Sequence, residues 1–105
     1  MLNFLKQIFS SNPAPDLQLL ISQGAKIIDV RTPGEFQRGH VKGSINIPLN
    51  EVQAKLKQIK KYKAPIITCC ASGNRSGMAA QILNQAGVEA VNGGPWNRVD
   101  RAVNG

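Results

Sequence analysis

Two adjacent thiols, Cys69 and Cys70, stand directly before the run Ala71-Ser72-Gly73-Asn74-Arg75-Ser76. A cysteine is a nucleophile when it is held as the thiolate. Small residues around a glycine form a loop whose backbone amides can converge on an anion. Ile66-Ile67-Thr68, just before, reads as a buried strand, and Arg75 to Ala86 is helical in pattern. A thiol at the end of a strand and the start of a helix feels about half an elementary charge from the helix dipole. Gly73 lets the backbone turn without a Cβ clash, and Arg75 adds a cation. The carboxyl end of a strand is where open α/β sheets bind ligands. The expected chemistry is therefore nucleophilic attack by Cys70, with Ala71, Ser72, Gly73, Asn74, Arg75 and Ser76 holding an anionic substrate.

The rest of the chain must position that loop. Leu2, Leu5 and Phe9, with Phe4 and Ile8, have helical spacing, and Pro13 and Pro15 then break the chain. Asp16 caps a helix carrying Leu17, Leu20 and Ile21, which Gly24 ends. Lys26 to Val30 is a short buried strand. Thr32-Pro33-Gly34-Glu35 is a capping box with proline at the first helical position, starting a short helix to Arg38. Ser44 to Ile47 is a second strand. Asn50 is expected to cap a helix from Glu51 to Lys61. Pro65 to Cys69 is the third strand, with Cys69 its last residue, and Val88 to Val91 the fourth. Asn92-Gly93-Gly94-Pro95 reads as a turn, and the tail from Trp96 as a short helix or irregular cap. Strands joined by helices in this order give a parallel sheet covered on both faces. The expected organisation is an amphipathic extension at 1–12 and one domain at 13–105.

Composition sets bounds on function. The chain has 105 residues, 42% hydrophobic and 18% charged, as in a globular domain with a single core. No apolar run approaches the ~18 residues of a membrane span. Lys6 interrupts the weakly apolar start, so no secretory leader is expected and the setting is read as cytoplasmic. Two adjacent cysteines there point to chemistry or burial rather than to a disulfide framework. Neither the cysteines nor the one histidine, His40, has zinc-site spacing, and no nucleotide loop is present, so no metal or cofactor is expected.

Thirteen Lys and Arg against six Asp and Glu give a net charge of +7, and five of the cations fall within Lys55–Lys63. Such a run is ordinarily a solvated helix face. Without aromatic residues among the basic ones, it does not point to nucleic acid. The expected partners are a small anionic donor and a thiol or protein acceptor, with the chain itself a monomer.

The segment Cys70-Ala71-Ser72-Gly73-Asn74-Arg75-Ser76 resembles the active loop of the rhodanese family of sulfurtransferases. Ile28-Asp29-Val30-Arg31-Thr32-Pro33-Gly34-Glu35-Phe36, continuing through Gly39-His40-Val41 to Gly43-Ser44-Ile45-Asn46-Ile47-Pro48-Leu49, resembles the family's first signature. Gly87-Val88 through Asn92-Gly93-Gly94 to Trp96 resembles its closing segment. The resemblance spans residues 14–100. It implies a five-stranded parallel sheet with helices on both sides. It also implies that Cys70 takes a sulfane sulfur from thiosulfate or a persulfide and passes it to cyanide or a thiol.

In that family Asp29, Arg31, Glu35 and His40 correspond to mostly structural positions. The residue types agree: Asp29 and Arg31 suit buried loop ends, His40 a hydrogen-bonded turn, and Trp96 packing. Counted from Cys69, Arg75 instead has the spacing of the cysteine phosphatases, which leaves a phosphatase or arsenate reductase using Cys69 as a rival. Thr68 stands where those enzymes usually place histidine. Consecutive strand residues face opposite sides, so Cys69 is expected in the core, or else as a resolving thiol. A third reading is a non-catalytic binding module that kept the fold, against which the intact Cys-x-x-Gly-x-Arg pattern argues.

Overall fold

A computed structural model of the chain describes residues 15–105; the extension read at 1–12 lies outside them. Asp16 caps α1 (Leu17–Ser22) by accepting from the Leu19 amide at 3.1 Å. Strand β1 (Lys26–Asp29) follows, then α2 (Pro33–Gln37), which starts on the complete Thr32–Glu35 capping box. Next come β2 (Ile45–Asn46), α3 (Leu49–Val52), a 3-10 turn at Gln53–Lys55, and α4 (Leu56–Lys60). Strand β3 (Ile66–Cys70) leads into α5 (Asn74–Gln85), and β4 (Ala90–Pro95) into α6 (Trp96–Asn104).

All strand pairs are parallel, in the order β2-β1-β3-β4. Alternation along the strands splits the core in two. Ile28, Ile66 and Cys70 join Val52, Ile59, Ala79 and Leu83 on one face. Ile27, Ile67 and Cys69 join Leu17, Leu20, Val41, Val91 and Val99 on the other. Helices therefore cover both faces, as the strand-helix alternation predicts.

Several details differ from expectation: β1 stops one residue short of Val30, β2 covers two residues of the four expected, and β4 starts at Ala90 rather than Val88. Among the described residues the sheet has four strands, not five. The segment just before β1 is the helix that Asp16 caps, so it supplies no strand. The helix expected from Glu51 under an Asn50 cap begins instead at Leu49, after Pro48, whose φ of −53° already suits a helix start. The Leu49 amide meanwhile donates to the Val30 carbonyl at 3.0 Å, tying the helix start to the end of β1. Its course breaks at Lys55, and Val52, Leu56 and Ile59 all reach the same core cluster.

Strand β3 runs one residue further than expected, to Cys70, because Cys70 pairs with Pro95 across an irregularity in the ladder. Strand β4 likewise continues through Gly93-Gly94 rather than turning there. A Cβ on Gly93 would lie 2.6 Å from Val99 Cγ2, 2.7 Å from Ile67 Cγ2 and 2.9 Å from the Thr68 carbonyl oxygen. The glycine marks close approach of α6 to the sheet, not a bend.

This contact is testable. Gly93→Ala should cost ~1–3 kcal/mol in urea unfolding, the range for overpacking a core. Gly34→Ala, whose Cβ would meet nothing within 4 Å, should not lower the midpoint.

Candidate active site

The first turn of any helix has amides without helical partners. In α5 the N-cap position is Gly73, at φ +105°, which has no side chain to accept them. The acceptor comes from β3 instead. Cys70 Sγ receives the Gly73 amide at 3.0 Å and the Ser76 amide at 3.3 Å. Ser76 Oγ lies 3.3 Å from the same sulfur. The cysteine sulfur is thus both the cap of α5 and the centre of the loop. A positive φ favours glycine at 73, and a Cβ there would point to Gly94 Cα at 3.5 Å.

Burial raises the pKa of the Cys70 thiol. The Ser76 hydroxyl, then the Ser76, Gly73 and Ser72 amides, oppose it, and the net direction is down. Cys69 has the reverse balance. Its thiol is pushed up to about 12, first by burial and then by the Asp29 carboxylate, which Arg31 only partly offsets. Both cysteines are fully buried, yet they face opposite sides of the sheet, and the loop amides converge on Cys70. Cys69 packs with Leu17, Val41 and Val99. The spacing from Cys69 to Arg75 is not matched by any placement of Cys69 within the loop.

The remaining predicted residues divide by role. Ala71, Ser72 and Asn74 are exposed at the loop's rim, with the Asn74 amide 3.5 Å from Ser72 Oγ. Arg75 forms a two-pronged pair with Glu35 of α2, Nη1 to Oε1 at 2.8 Å and Nη2 to Oε2 at 3.0 Å. Its charge is matched in place, and it ties the start of α5 to the start of α2. Glu35 also accepts from the Thr32 amide and hydroxyl. The Arg75 fork, followed by the Thr32 amide, lowers its pKa from 4.5 to about 2. Sequence reading found the capping box but not this pair, whose members are 40 positions apart.

It also missed Asn92. Its Oδ1 accepts from the Ser76 hydroxyl at 2.7 Å and the Gly94 amide at 2.9 Å, and its Nδ2 donates to the Gly73 carbonyl at 3.0 Å. Nothing local marks it, since an asparagine before two glycines reads as a turn.

The residues expected to be structural are so placed. Asp29 and Arg31 are buried and paired at 2.7 Å, and the guanidinium also donates to the Gly39 carbonyl. It lies 5.0 Å from the Trp96 ring centroid, within cation–π range. His40 Nδ1 donates to the Phe36 carbonyl at 2.7 Å, and its ring stacks on Phe36.

A buried thiol that receives two backbone amides, at the carboxyl edge of a parallel sheet, is an arrangement able to hold negative charge on sulfur. The rhodanese-like domain family matches residues 13–94, and the chain belongs to that family. It is 43% identical over 67 residues to the uncharacterized protein YqhL of Bacillus subtilis, covering 64% of this chain and 52% of that one. It is 41% identical over 65 residues to the thiosulfate sulfurtransferase PspE of Escherichia coli, covering 61% of this chain and 62% of that one. The chain thus spans only about half to three-fifths of these relatives. A solved E. coli rhodanese with anions superposes with a TM-score of 0.66 at 35% identity, covering 71% of this chain and 91% of that one.

Glu35 carries a pH signature. Its pKa is lowered on folding, so its stabilisation is complete above 4.5 and is lost as pH falls towards about 2. The urea midpoint of the wild type should fall across that window. Glu35→Gln should start lower at pH 7 and change less there.

Proposed function

We propose that the chain is a sulfurtransferase that carries sulfane sulfur on Cys70. One observation supports this above the others: the Gly73 and Ser76 amides, at 3.0 and 3.3 Å, are aimed at the Cys70 sulfur. Donors so placed stabilise the anion that attacks and the anion that results, without reorganising between them.

In the first half-reaction the Cys70 thiolate attacks the outer sulfur of thiosulfate. A sulfur–sulfur bond forms to Cys70, the bond to the sulfonate sulfur breaks, and sulfite leaves with the electron pair. Cys70 then carries a persulfide anion. In the second, cyanide or an acceptor thiolate attacks the outer sulfur and returns Cys70 as thiolate. Charge balances in both steps, and no metal or organic cofactor takes part.

Ala71, Ser72, Gly73, Asn74, Arg75 and Ser76 form the donor site. Their side chains are small apart from Arg75, whose charge is already paired with Glu35. Recognition therefore rests on backbone amides and on a compact anionic shape, which suits a small inorganic donor. The acceptor is a thiol or a protein carrying one. A cytoplasmic monomer, with 13–105 as the domain and 1–12 as an extension, completes the reading. Free thiols persist in that compartment, and among the described residues no helix is long and apolar enough to cross a membrane.

Incubation with thiosulfate followed by mass spectrometry tests the proposal. The wild type and Cys69→Ser should gain one sulfur atom, mapped to Cys70, and Cys70→Ser should gain none. A wild type that takes no sulfur from thiosulfate or a persulfide donor would sink it. Phosphate-monoester turnover lost only in Cys69→Ser would favour a phosphatase instead. The net charge of +7 adds a kinetic expectation, because thiosulfate is a dianion. Sulfur uptake should slow as salt rises from about 0.01 to about 0.15 M, where the screening length shrinks from roughly 30 to roughly 8 Å.

A further inference from the structure

Ser76 has one hydroxyl proton and two neighbours able to accept it. Cys70 Sγ lies at 3.3 Å and Asn92 Oδ1 at 2.7 Å. The direction of the Asn92 amide is fixed by its other contacts. Its nitrogen faces the Gly73 carbonyl at 3.0 Å, and its oxygen faces the Gly94 amide at 2.9 Å. A flipped amide would set oxygen against oxygen and N–H against N–H. Oδ1 is therefore what Ser76 meets, and the shorter bond takes the proton. Ser76 Oγ then turns a lone pair towards Cys70, an arrangement that accepts S–H and disfavours the thiolate. Once the thiol proton leaves to water, the hydroxyl can rotate to donate to the sulfur. Asn92 Oδ1 keeps the Gly94 amide when it does.

We propose that Asn92 is a positioning residue acting through Ser76: it competes with the Cys70 sulfur for one hydroxyl proton and so sets how readily the thiolate forms. The proposal deepens the sulfurtransferase reading, in which that thiolate is the attacking group. The ionisable neighbours do not duplicate the effect. At the end of β1 and just after it, Asp29 and Arg31 pair with each other. From α2 and α5, Glu35 and Arg75 pair with each other. On β3, Cys69 lies on the opposite face. From α6, Arg98 lies across Gly94, where a Cβ would meet its Nη1 at 3.5 Å.

The test reads the thiolate itself, so it stands whether or not the protein transfers sulfur. The rate of Cys70 alkylation by iodoacetamide is measured against pH, with the label mapped by mass spectrometry. The chains are wild type, Asn92→Ala, Ser76→Ala and the double variant. Asn92 is exposed, so its replacement leaves the core intact. With its competitor removed, Ser76 serves the sulfur alone. Asn92→Ala should lower the alkylation midpoint by roughly one pH unit, about a tenfold gain in thiolate fraction below the midpoint. In the Ser76→Ala background the same change should produce no downward shift. Equal shifts in both backgrounds would overturn the proposal, because a merely structural Asn92 would act without Ser76. Asn92→Asp gives a second check, since it keeps the acceptor and adds charge. It should raise the midpoint further with Ser76 present than in Ser76→Ala, and an equal rise in both would also overturn the proposal.

Discussion

The start of α5 needs acceptors for its first amides, and a single sulfur atom supplies one. Gly73 offers no side chain, so the Ser76 amide and the Gly73 amide both end on Cys70. Helix capping and thiolate stabilisation are therefore one interaction seen from two sides. The helix gains a partner for otherwise unsatisfied donors, and the sulfur gains a surrounding that favours negative charge. Everything that fixes the relation of β3 to α5 acts on the sulfur through this contact. Thr68 Oγ1 donates to the Ser76 carbonyl at 2.7 Å, joining strand and helix two residues before the thiol. The Arg75–Glu35 fork holds the same helical turn from outside. Asn92 holds the loop from β4.

Parallel pairing gives the two cysteines different fates. Adjacent residues on β3 point to opposite faces, and both faces are covered by helices. Cys69 has apolar packing and a neighbouring carboxylate that Arg31 only partly offsets, so burial prevails there. Cys70 is just as buried but stands where the strand stops and the amides begin. Burial alone does not decide a thiol's reactivity; the donors within reach of its sulfur do.

Features that a few neighbouring residues determine were legible in the sequence. Asp16, the Thr32–Glu35 capping box, Gly73 and the opposed faces of Cys69 and Cys70 each follow from local geometry. The family resemblance located the loop and the overall layering, but the fifth strand it implied is absent from the described residues. The features that local pattern missed depended on contacts distant in sequence. Gly93-Gly94 looks like a turn until Val99 and Ile67 are packed against it. Leu49 starts a helix early because its amide meets Val30 across the sheet edge. Glu35 and Arg75, and likewise Ser76 and Asn92, meet only once the sheet order is known.

The site's charges are arranged so that its positive character does not depend on a free cation. Arg75 is the one cationic side chain within the loop, and its guanidinium is matched by Glu35. Arg31 is matched by Asp29. The donors left facing the sulfur are backbone amides, beside one hydroxyl whose proton Asn92 also claims. Amides have no proton to lose in the physiological range and no long side chain to immobilise, so they hold the same geometry before and after the sulfur ionises. The excess surface charge acts over a screening length and is indifferent to loop geometry. The amides act within about 3 Å and depend on it entirely. Attraction of an anion to the molecule and stabilisation of an anion on Cys70 are thus separate properties, assigned to different parts of the chain.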